Sequence, residues 1–379
     1  MNLSYSDEQE MIRSSVFDYF SADYTFEFFL ERIQRTDYPD PKIWQNMAEL
    51  GWLGFMVSEE RGGLGLGPQE AFLLMEGAGA ALNIEPLLST AIVAAPLLAQ
   101  GADDEQVNSV LAETIAGQQT VALAWAEKAR GFAPTQCATT VRSEGAQGPW
   151  VLNGKKVLVD DGAGAQWLIV SAQGDEGLGL YLVAADSNGL SRTGTTLADG
   201  SHVADVTFAD VTATACLATG EQAQKLLLQA VYRGLSATCG EALGAMDRVL
   251  DISRQYLHER KQFGKPLAAQ QVLQHRFVDM QIATERARSM AILTAIQADK
   301  AAAGDLEAQR DMSLAKYIIG QSARFVGGQG IQVHGGMGMA YEYPVGHYYR
   351  KLLCCDARFG SQDDHLSLLD VPTENNHAA

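Results

Sequence analysis

The hydrophobic period of this chain changes twice, and those two switches limit its architecture more than any single motif does. Up to about residue 115 the apolar residues recur at helical spacing. Ile12, Val16, Phe17 and Phe20 form one stripe, and Ile43, Trp44, Met47 and Leu50 form another that ends at Gly51. Ser6 with Gln9 has the form of a capping box. The run 87–98 is apolar nearly all round and predicts a buried helix broken near Pro96. From about residue 119 the period is two: 121–125, 139–142, 150–152, 156–159, 167–171, 180–183 and 203–208 read as short strands. Asn153-Gly154 reads as a hairpin turn between two of them. From about residue 223 long helical segments return over 224–258, 270–303 and 306–333, lengths that suit a bundle of up to four antiparallel helices. The expected fold is α+β: an N-terminal helical domain (1–118), a central antiparallel β-barrel or sandwich (119–222) and a C-terminal four-helix-bundle domain (223–379). No G-x-G-x-x-G follows a strand, which argues against a parallel dinucleotide-binding sheet.

Charge narrows the function. With 28 basic against 46 acidic residues the formal net charge is −18, which argues against a nucleic-acid partner. An anionic ligand would need a local basic patch working against that field. The five cysteines, two of them adjacent as Cys354-Cys355, form neither a metal ladder nor a disulfide framework, so no metal is expected and reduced thiols in the cytoplasm are. The polar, acidic start has neither the basic nor the apolar region of a signal peptide, and no run of about 18 apolar residues offers a membrane span. The polar tail 371–379 is expected to fray.

The most informative stretch is YLHERKQFGKPL at 256–267. Leu243, Met246, Leu250 and Leu257 lead into it at helical spacing, and Gly264 and Pro266 stop the helix. Arg260 supplies a forked donor set for phosphate and Phe263 a flat face. A solvated helix end would account for the same residues.

Three motifs in order give this chain its family likeness. Arg260-Lys261-Gln262-Phe263-Gly264-Lys265-Pro266-Leu267 with Gln271, then Gln332-Val333-His334-Gly335-Gly336 running to Pro344 with Arg350 six residues later, and the turn Glu59-Glu60-Arg61-Gly62-Gly63-Leu64-Gly65 together resemble the acyl-CoA dehydrogenase family over essentially the whole chain. The resemblance implies a helix–barrel–helix fold with FAD between barrel and bundle. It also implies proton abstraction from an acyl-CoA by a carboxylate, hydride transfer to flavin, and electron delivery to an electron-transferring flavoprotein. By the same resemblance Arg260, Gln262 and Phe263 hold FAD pyrophosphate and adenosine across a dimer interface, and Gln332, Gly335 and Gly336 form a loop against the same group. Trp125-Ala126-Glu127 matches the segment lining the flavin ring, and Asn153-Gly154-Lys155-Lys156 matches the family's N-G-x-K hairpin.

The chain departs from that pattern where the chemistry would occur. The family's Trp-Ile-Thr-Asn-Gly is Leu158-Val159-Asp160-Asp161-Gly162 here, which puts Asp160 in the place of a hydroxyl. The family glutamate nine residues after Arg350 is Phe359, and its alternative position on the preceding long helix is Gly234. Glu241, Asp160 and Asp363 remain as acidic candidates, with Glu241 weighed against a structural pairing to a residue such as Arg324. Asp363 and Asp364 read as surface charges, and His334 and His275 as packing or hydrogen-bonding residues. Asn83-Ile84-Glu85-Pro86, the run 240–246, Gln271 with His275-Arg276, Val345-Gly346-His347-Tyr348 and Phe359-Gly360 are similar to the small subunits of heteromeric relatives, the pimeloyl-CoA and steroid side-chain types. The reading is a subunit without its own base, working with a homologous large subunit in a heterotetramer on a bulky or dicarboxylic acyl-CoA. Its alternatives are a self-sufficient homo-oligomer using Glu241 or Asp160, and a flavin-free structural partner.

Overall fold

The computed structural model describes residues 5–128, 132–143 and 148–369, so the expected fraying of 371–379 lies outside the described residues. Six α-helices open the chain: α1 (Asp7–Asp23), α2 (Phe26–Arg32), α3 (Pro41–Glu49), α4 (Pro68–Ala80), α5 (Ala95–Gln100) and α6 (Glu105–Ile115). The Ser6–Gln9 capping box is present at α1, and Asp40 and Asp104 cap α3 and α6 through their carboxylates. The apolar run before Pro96 is a π-helical turn, Leu87–Ala94, that passes directly into α5. All eight of its residues are buried, which a sequence apolar on every side requires.

The middle of the chain is an open eight-stranded sheet; the expected closed barrel is not there. Its strands are β1 (Val121–Ala124), β2 (Thr140–Ser143), β3 (Trp150–Asp160), β4 (Trp167–Gly174), β5 (Gly177–Ala184), β6 (Leu190–Thr196), β7 (His202–Ala213) and β8 (Ala215–Thr219). They run in the order β6-β7-β3-β2-β4-β5-β8, with β1 lying parallel to β4 off this path. Most of the pairs are antiparallel. The sheet stays open because β6, largely exposed, pairs only with β7, and β8 only with β5.

Asn153-Gly154 is not a hairpin turn. It lies inside β3, at a register shift against β7. Gly154 takes φ 149°, and a Cβ there would meet Thr139 Cα at 2.7 Å, so the glycine serves a close strand crossing. The Asn153 amide bonds reciprocally with Asp210, donating to its carboxylate at 2.9 Å and accepting its backbone N–H at 3.0 Å, which fastens the irregularity to β7.

Among the described residues five helices follow: α7 (Gly220–Glu259), α8 (Gln271–Ala302), α9 (Leu306–His334), α10 (Pro344–Ala357) and α11 (Gln362–Leu369). Between α7 and α8 a two-stranded hairpin, β9 (Lys261–Gln262) with β10 (Lys265–Pro266), turns at Phe263-Gly264. α4 lies unusually close to α7. A Cβ on Gly79 would sit 1.9 Å from the Glu241 carbonyl oxygen, and one on Gly244 would sit 1.8 Å from that of Glu76. This contact fuses the N-terminal helices and the bundle into one core, which also takes in Ile169, Leu180 and Leu182 from the sheet. A second, smaller core around Leu152, Val170, Val206 and Phe208 fills the sheet itself. Among the described residues no helix is long and apolar enough to cross a membrane, and no cluster of side chains could hold a metal ion.

Candidate functional site

The two positions where a catalytic carboxylate would be sought meet in space. After α10 the backbone turns through Phe359 (φ 55°) and Gly360 (φ 90°), which aims the Phe359 ring back at α7. A Cβ on Gly234 would lie 2.4 Å from Phe359 Cζ. The ring is buried and lies nearly parallel to Trp125, with centroids 6.4 Å apart and an interplanar angle of 7°. Phe132 packs edge-on against Trp125 and Tyr232 and also touches His365. An aromatic cluster therefore fills the space around Phe359 and Gly234; its phenylalanine and tryptophan rings cannot abstract a proton, and the His365 nitrogens are engaged by Ser313 and the Phe359 carbonyl.

Next to that cluster lies a buried ionic network. Glu241 accepts from Lys351 Nζ at 2.5 Å with one carboxylate oxygen and from Arg358 Nη1 at 2.9 Å with the other. Arg358 Nε also donates to Asp160 at 3.1 Å. Lys351 lies 3.6 Å from Asp199 and donates to the Asn83 carbonyl at 2.9 Å. The expected pairing of a buried Glu241 to an arginine is present, but the arginine is Arg358 and not Arg324. Arg324, half exposed on the far face of α9, binds Asp356 instead.

Burial alone would lower the Lys351 ammonium, but Glu241 and Asp199 outweigh it and hold the group charged well above its usual range. Arg358 follows the same pattern, with Asp160 and Glu241 outweighing burial. The Asp160 carboxyl is pushed up by burial, against the pull of Arg358. Beside it, burial and then the charge of Asp160 raise Asp161 to about 7, although Tyr38 and Ser89 both donate to it. The space left among Met75, Asn83, Asp160, Glu241, Lys351 and Arg358 is about 20 Å³, enough for a single water. Glu241, with both oxygens held by cations and no room for an acyl chain beside it, is not disposed as a general base. Asp160 is tied to Arg358 in the same way.

Glu127 is a brace. Its carboxylate accepts the backbone N–H of Ala138 (2.7 Å) and Thr139 (2.9 Å), the Thr139 hydroxyl and Lys156 Nζ (2.9 Å). Burial would raise it, but the Lys156 contact and these N–H groups win and hold it at about 2. Leu158, in the place of the family tryptophan, is left 64 % exposed at φ 48°.

The other end of the bundle is open. Arg260 caps α7 and is exposed, and Phe263 at the hairpin tip is 95 % exposed at φ 53°. Tyr256 on α7 packs against His334 on α9, with ring centroids 4.5 Å apart. That contact sets the hairpin and the loop after α9 side by side. Gln332, Gly335 and Gly336 are exposed, and a Cβ on either glycine would meet nothing within 4 Å. The remaining candidates are engaged locally or exposed. His334 bonds the Gly330 carbonyl through Nδ1, His275 is exposed, Asp363 sits in the first turn of α11, and Asp364 accepts from Ser361. The 59–65 motif is a turn closed by Gly63, whose Cβ would strike the Val57 carbonyl at 2.2 Å.

Sequence reasoning missed Lys351, Arg358 and Asp199. Lys351 had a usable signal: with Tyr348, Leu352 and Cys355 it lies on the buried stripe of α10, where a charge needs a buried partner.

A helical front, a middle sheet and a C-terminal bundle with Arg260, Gln262 and Gln332 exposed at one end make up the described chain. Models for the N-terminal, middle and C-terminal domains of acyl-CoA dehydrogenase match residues 6–118, 122–211 and 225–369, so the chain belongs to the acyl-CoA dehydrogenase family, whose homologues are FAD-dependent oxidoreductases. It is similar to acryloyl-CoA reductase (NADH) of Anaerotignum propionicum, at 26 % identity over 96 % of this chain and 94 % of that protein. Among solved structures it resembles a variant of the Tcur3481–Tcur3483 steroid ACAD, with TM-score 0.84, 26 % identity and 96 % of each chain covered. It shares its fold with the ChsE4–ChsE5 complex of Mycobacterium tuberculosis, with TM-score 0.85, 20 % identity and 98 % and 100 % coverage.

Proposed function

We propose that this chain is the subunit without a catalytic base in a heteromeric acyl-CoA dehydrogenase, and that a homologous large subunit carries the glutamate and the acyl pocket. The observation that carries this reading is the occupied site: Phe359 against Gly234, and the Glu241–Lys351–Arg358–Asp160 network leaving room for one water. The likeness to a steroid ACAD supports a bulky acyl chain, a steroid side chain ahead of a dicarboxylic one. The reaction is the α,β-dehydrogenation step of β-oxidation, with an electron-transferring flavoprotein as acceptor. We assign the complex to the cytoplasm, in keeping with five cysteines that are all free thiols.

The two ends differ in how they suit FAD, which supplies the hydride acceptor for this chemistry when bound. The open end fits its adenosine diphosphate. Arg260 offers paired donors to pyrophosphate, Gln262 and Gln332 offer amides, Gly335-Gly336 let a phosphate approach the backbone, and Phe263 gives the adenine a face. The closed end does not fit the ring within this chain, because Trp125 is stacked on Phe359 and Asp160 is committed to Arg358. The chain thus completes a flavin site whose ring lies in its partner. Exposed Val272, Val278 and Ile282 on α8 offer an apolar face for that partner to cover.

A self-sufficient enzyme using Glu241 or Asp160 is disfavoured by the ion pairs of both groups. The test is anaerobic reduction by acyl-CoA. The isolated chain supplied with FAD should show no flavin bleaching, and bleaching should appear when the glutamate-bearing subunit is added. Bleaching by the isolated chain overturns the reading. Bleaching by the mixture with no loss of flavin from an Arg260→Ala variant would favour a purely structural partner.

A further inference from the structure

Outside the acyl site, one buried cluster joins a thiol to an amine. Lys156 on β3 is fully buried, and its Nζ lies 3.2 Å from Cys137 Sγ, 2.9 Å from Glu127 Oε1, 2.9 Å from Ser171 Oγ and 3.2 Å from the Trp125 carbonyl. An ammonium has three protons and this one faces four acceptors, so the sulfur contact is not needed to satisfy the lysine. The thiol in turn has its own acceptors, the carbonyls of Thr139 at 3.4 Å and Ser171 at 3.3 Å. Cys137 is only partly buried, which gives a small oxidant access to the sulfur, whereas the lysine is shut off from anything larger. Burial pushes the thiol pKa up, which disfavours thiolate exchange with an external disulfide.

We propose that Cys137 and Lys156 form an oxygen-responsive covalent switch, a nitrogen–oxygen–sulfur bridge between the two side chains. The Lys156 ammonium first gives up one proton to solvent water, and the resulting amine, the thiol and one dioxygen yield the bridge and one water. An N–H, the S–H and the O–O bond break, and N–O and O–S bonds form. Nitrogen and sulfur lose two electrons each, and the two oxygen atoms gain the four. One oxygen enters the bridge, and the other leaves as water with the two displaced hydrogens. An oxygen atom spans the observed gap with less movement than a direct N–S bond would need.

The bridge would fasten Cys137, ahead of β2, to the middle of β3. It would also remove the lysine charge that Glu127 now faces. Glu127 follows Trp125, so oxidation would act on the segment that backs the aromatic cluster. This inference does not depend on the heteromeric reading.

The test is intact-mass analysis of the full chain after exposure to dioxygen-saturated buffer, followed by peptide mapping. The expected product gains one oxygen and loses two hydrogens, about 14 Da in all. It joins the Cys137 and Lys156 peptides, reverts with dithiothreitol and is absent from Cys137→Ser, whose hydroxyl can still accept from the lysine. An unchanged mass, a gain of oxygen alone, a loss of two hydrogens alone, or the same product in Cys137→Ser would each overturn the proposal.

Discussion

The two ends of the bundle have been treated in opposite ways. At the acyl end rings and charges are buried against one another until space for one water remains. At the hairpin end Arg260, Phe263 and Gln332 face outward, and the glycines have nothing above them. A buried group without a ligand must find its partner inside the chain, so the closed end is knit from Glu241, Lys351 and Arg358. An exposed donor has water as partner and can wait for a ligand. On the reading proposed above, the contrast separates a site that has become structure from one that has remained a surface for binding.

The comparison breaks most readily at Glu241. Glu241→Ala leaves Lys351 and Arg358 buried beside only the more distant carboxylates of Asp199 and Asp160, and should cost about 3–5 kcal/mol of stability. Urea denaturation of the variant measures it. A loss below about 1 kcal/mol, within reach of an ordinary surface change, would mean the network does not hold this end together.

At the open end the sign should reverse. Arg260→Ala should leave the urea midpoint unchanged and remove charge-assisted donors worth about 1.5–3 kcal/mol in flavin binding, roughly a ten- to hundredfold loss of affinity. Fluorescence titration of FAD into the assembled complex reads this directly. If the midpoint falls and flavin binding does not, the two ends have been assigned the wrong way round.

Gly234→Ala sharpens the closed end further. The added Cβ meets the buried Phe359 ring, which also packs near-parallel to Trp125, so a cost of about 1–3 kcal/mol is expected. Phe359→Leu should relieve most of it, and the double-mutant cycle gives the coupling. Additive costs would show that residues 234 and 359 are not in contact.

Much of this layout was legible because hydrophobic period reports burial. The helical segments expected at 224–258 and 270–303 are Gly220–Glu259 and Gln271–Ala302. Where burial has no period, the signal fails. β6 is mostly exposed at the sheet edge and left no alternation to read. Asn153-Gly154 has the local form of a turn, and only Thr139 and Asp210, distant in sequence, show that the strand runs on. At the site, counting residues located Phe359 and Gly234, but no spacing rule could say that one fills the space above the other. The buried stripe of α10 marks Lys351 as needing a partner, but that the partner is Glu241 on α7 is set by how the helices cross, which the sequence of neither helix contains.

The smallest effect concerns acid, where the closed end should leave a signature opposite to that of an ordinary salt bridge. Asp161, raised to about 7 by burial and by the charge of Asp160, holds its proton in the fold over a range where the unfolded chain has lost it. Its contribution to stability is therefore complete below the unfolded carboxylate pKa of about 4 and is lost as pH rises through about 7. Glu127, held at about 2, contributes in the opposite sense: its stabilisation is present above the unfolded value of about 4.5 and is lost as pH falls towards 2. Asp161→Asn keeps an acceptor oxygen for one of the two hydroxyls of Tyr38 and Ser89, turns an N–H donor to the other, and removes the titration. The variant should thus lose the fall in urea midpoint that the parent shows between about pH 4 and 7, and above pH 7 it should be the more stable of the two. The Glu127 limb, below about pH 4.5, should be the same in both proteins. Equal slopes between pH 4 and 7 would mean that Asp161 is ionised throughout, and that Lys351 and Arg358 neutralise the closed end more completely than its geometry indicates.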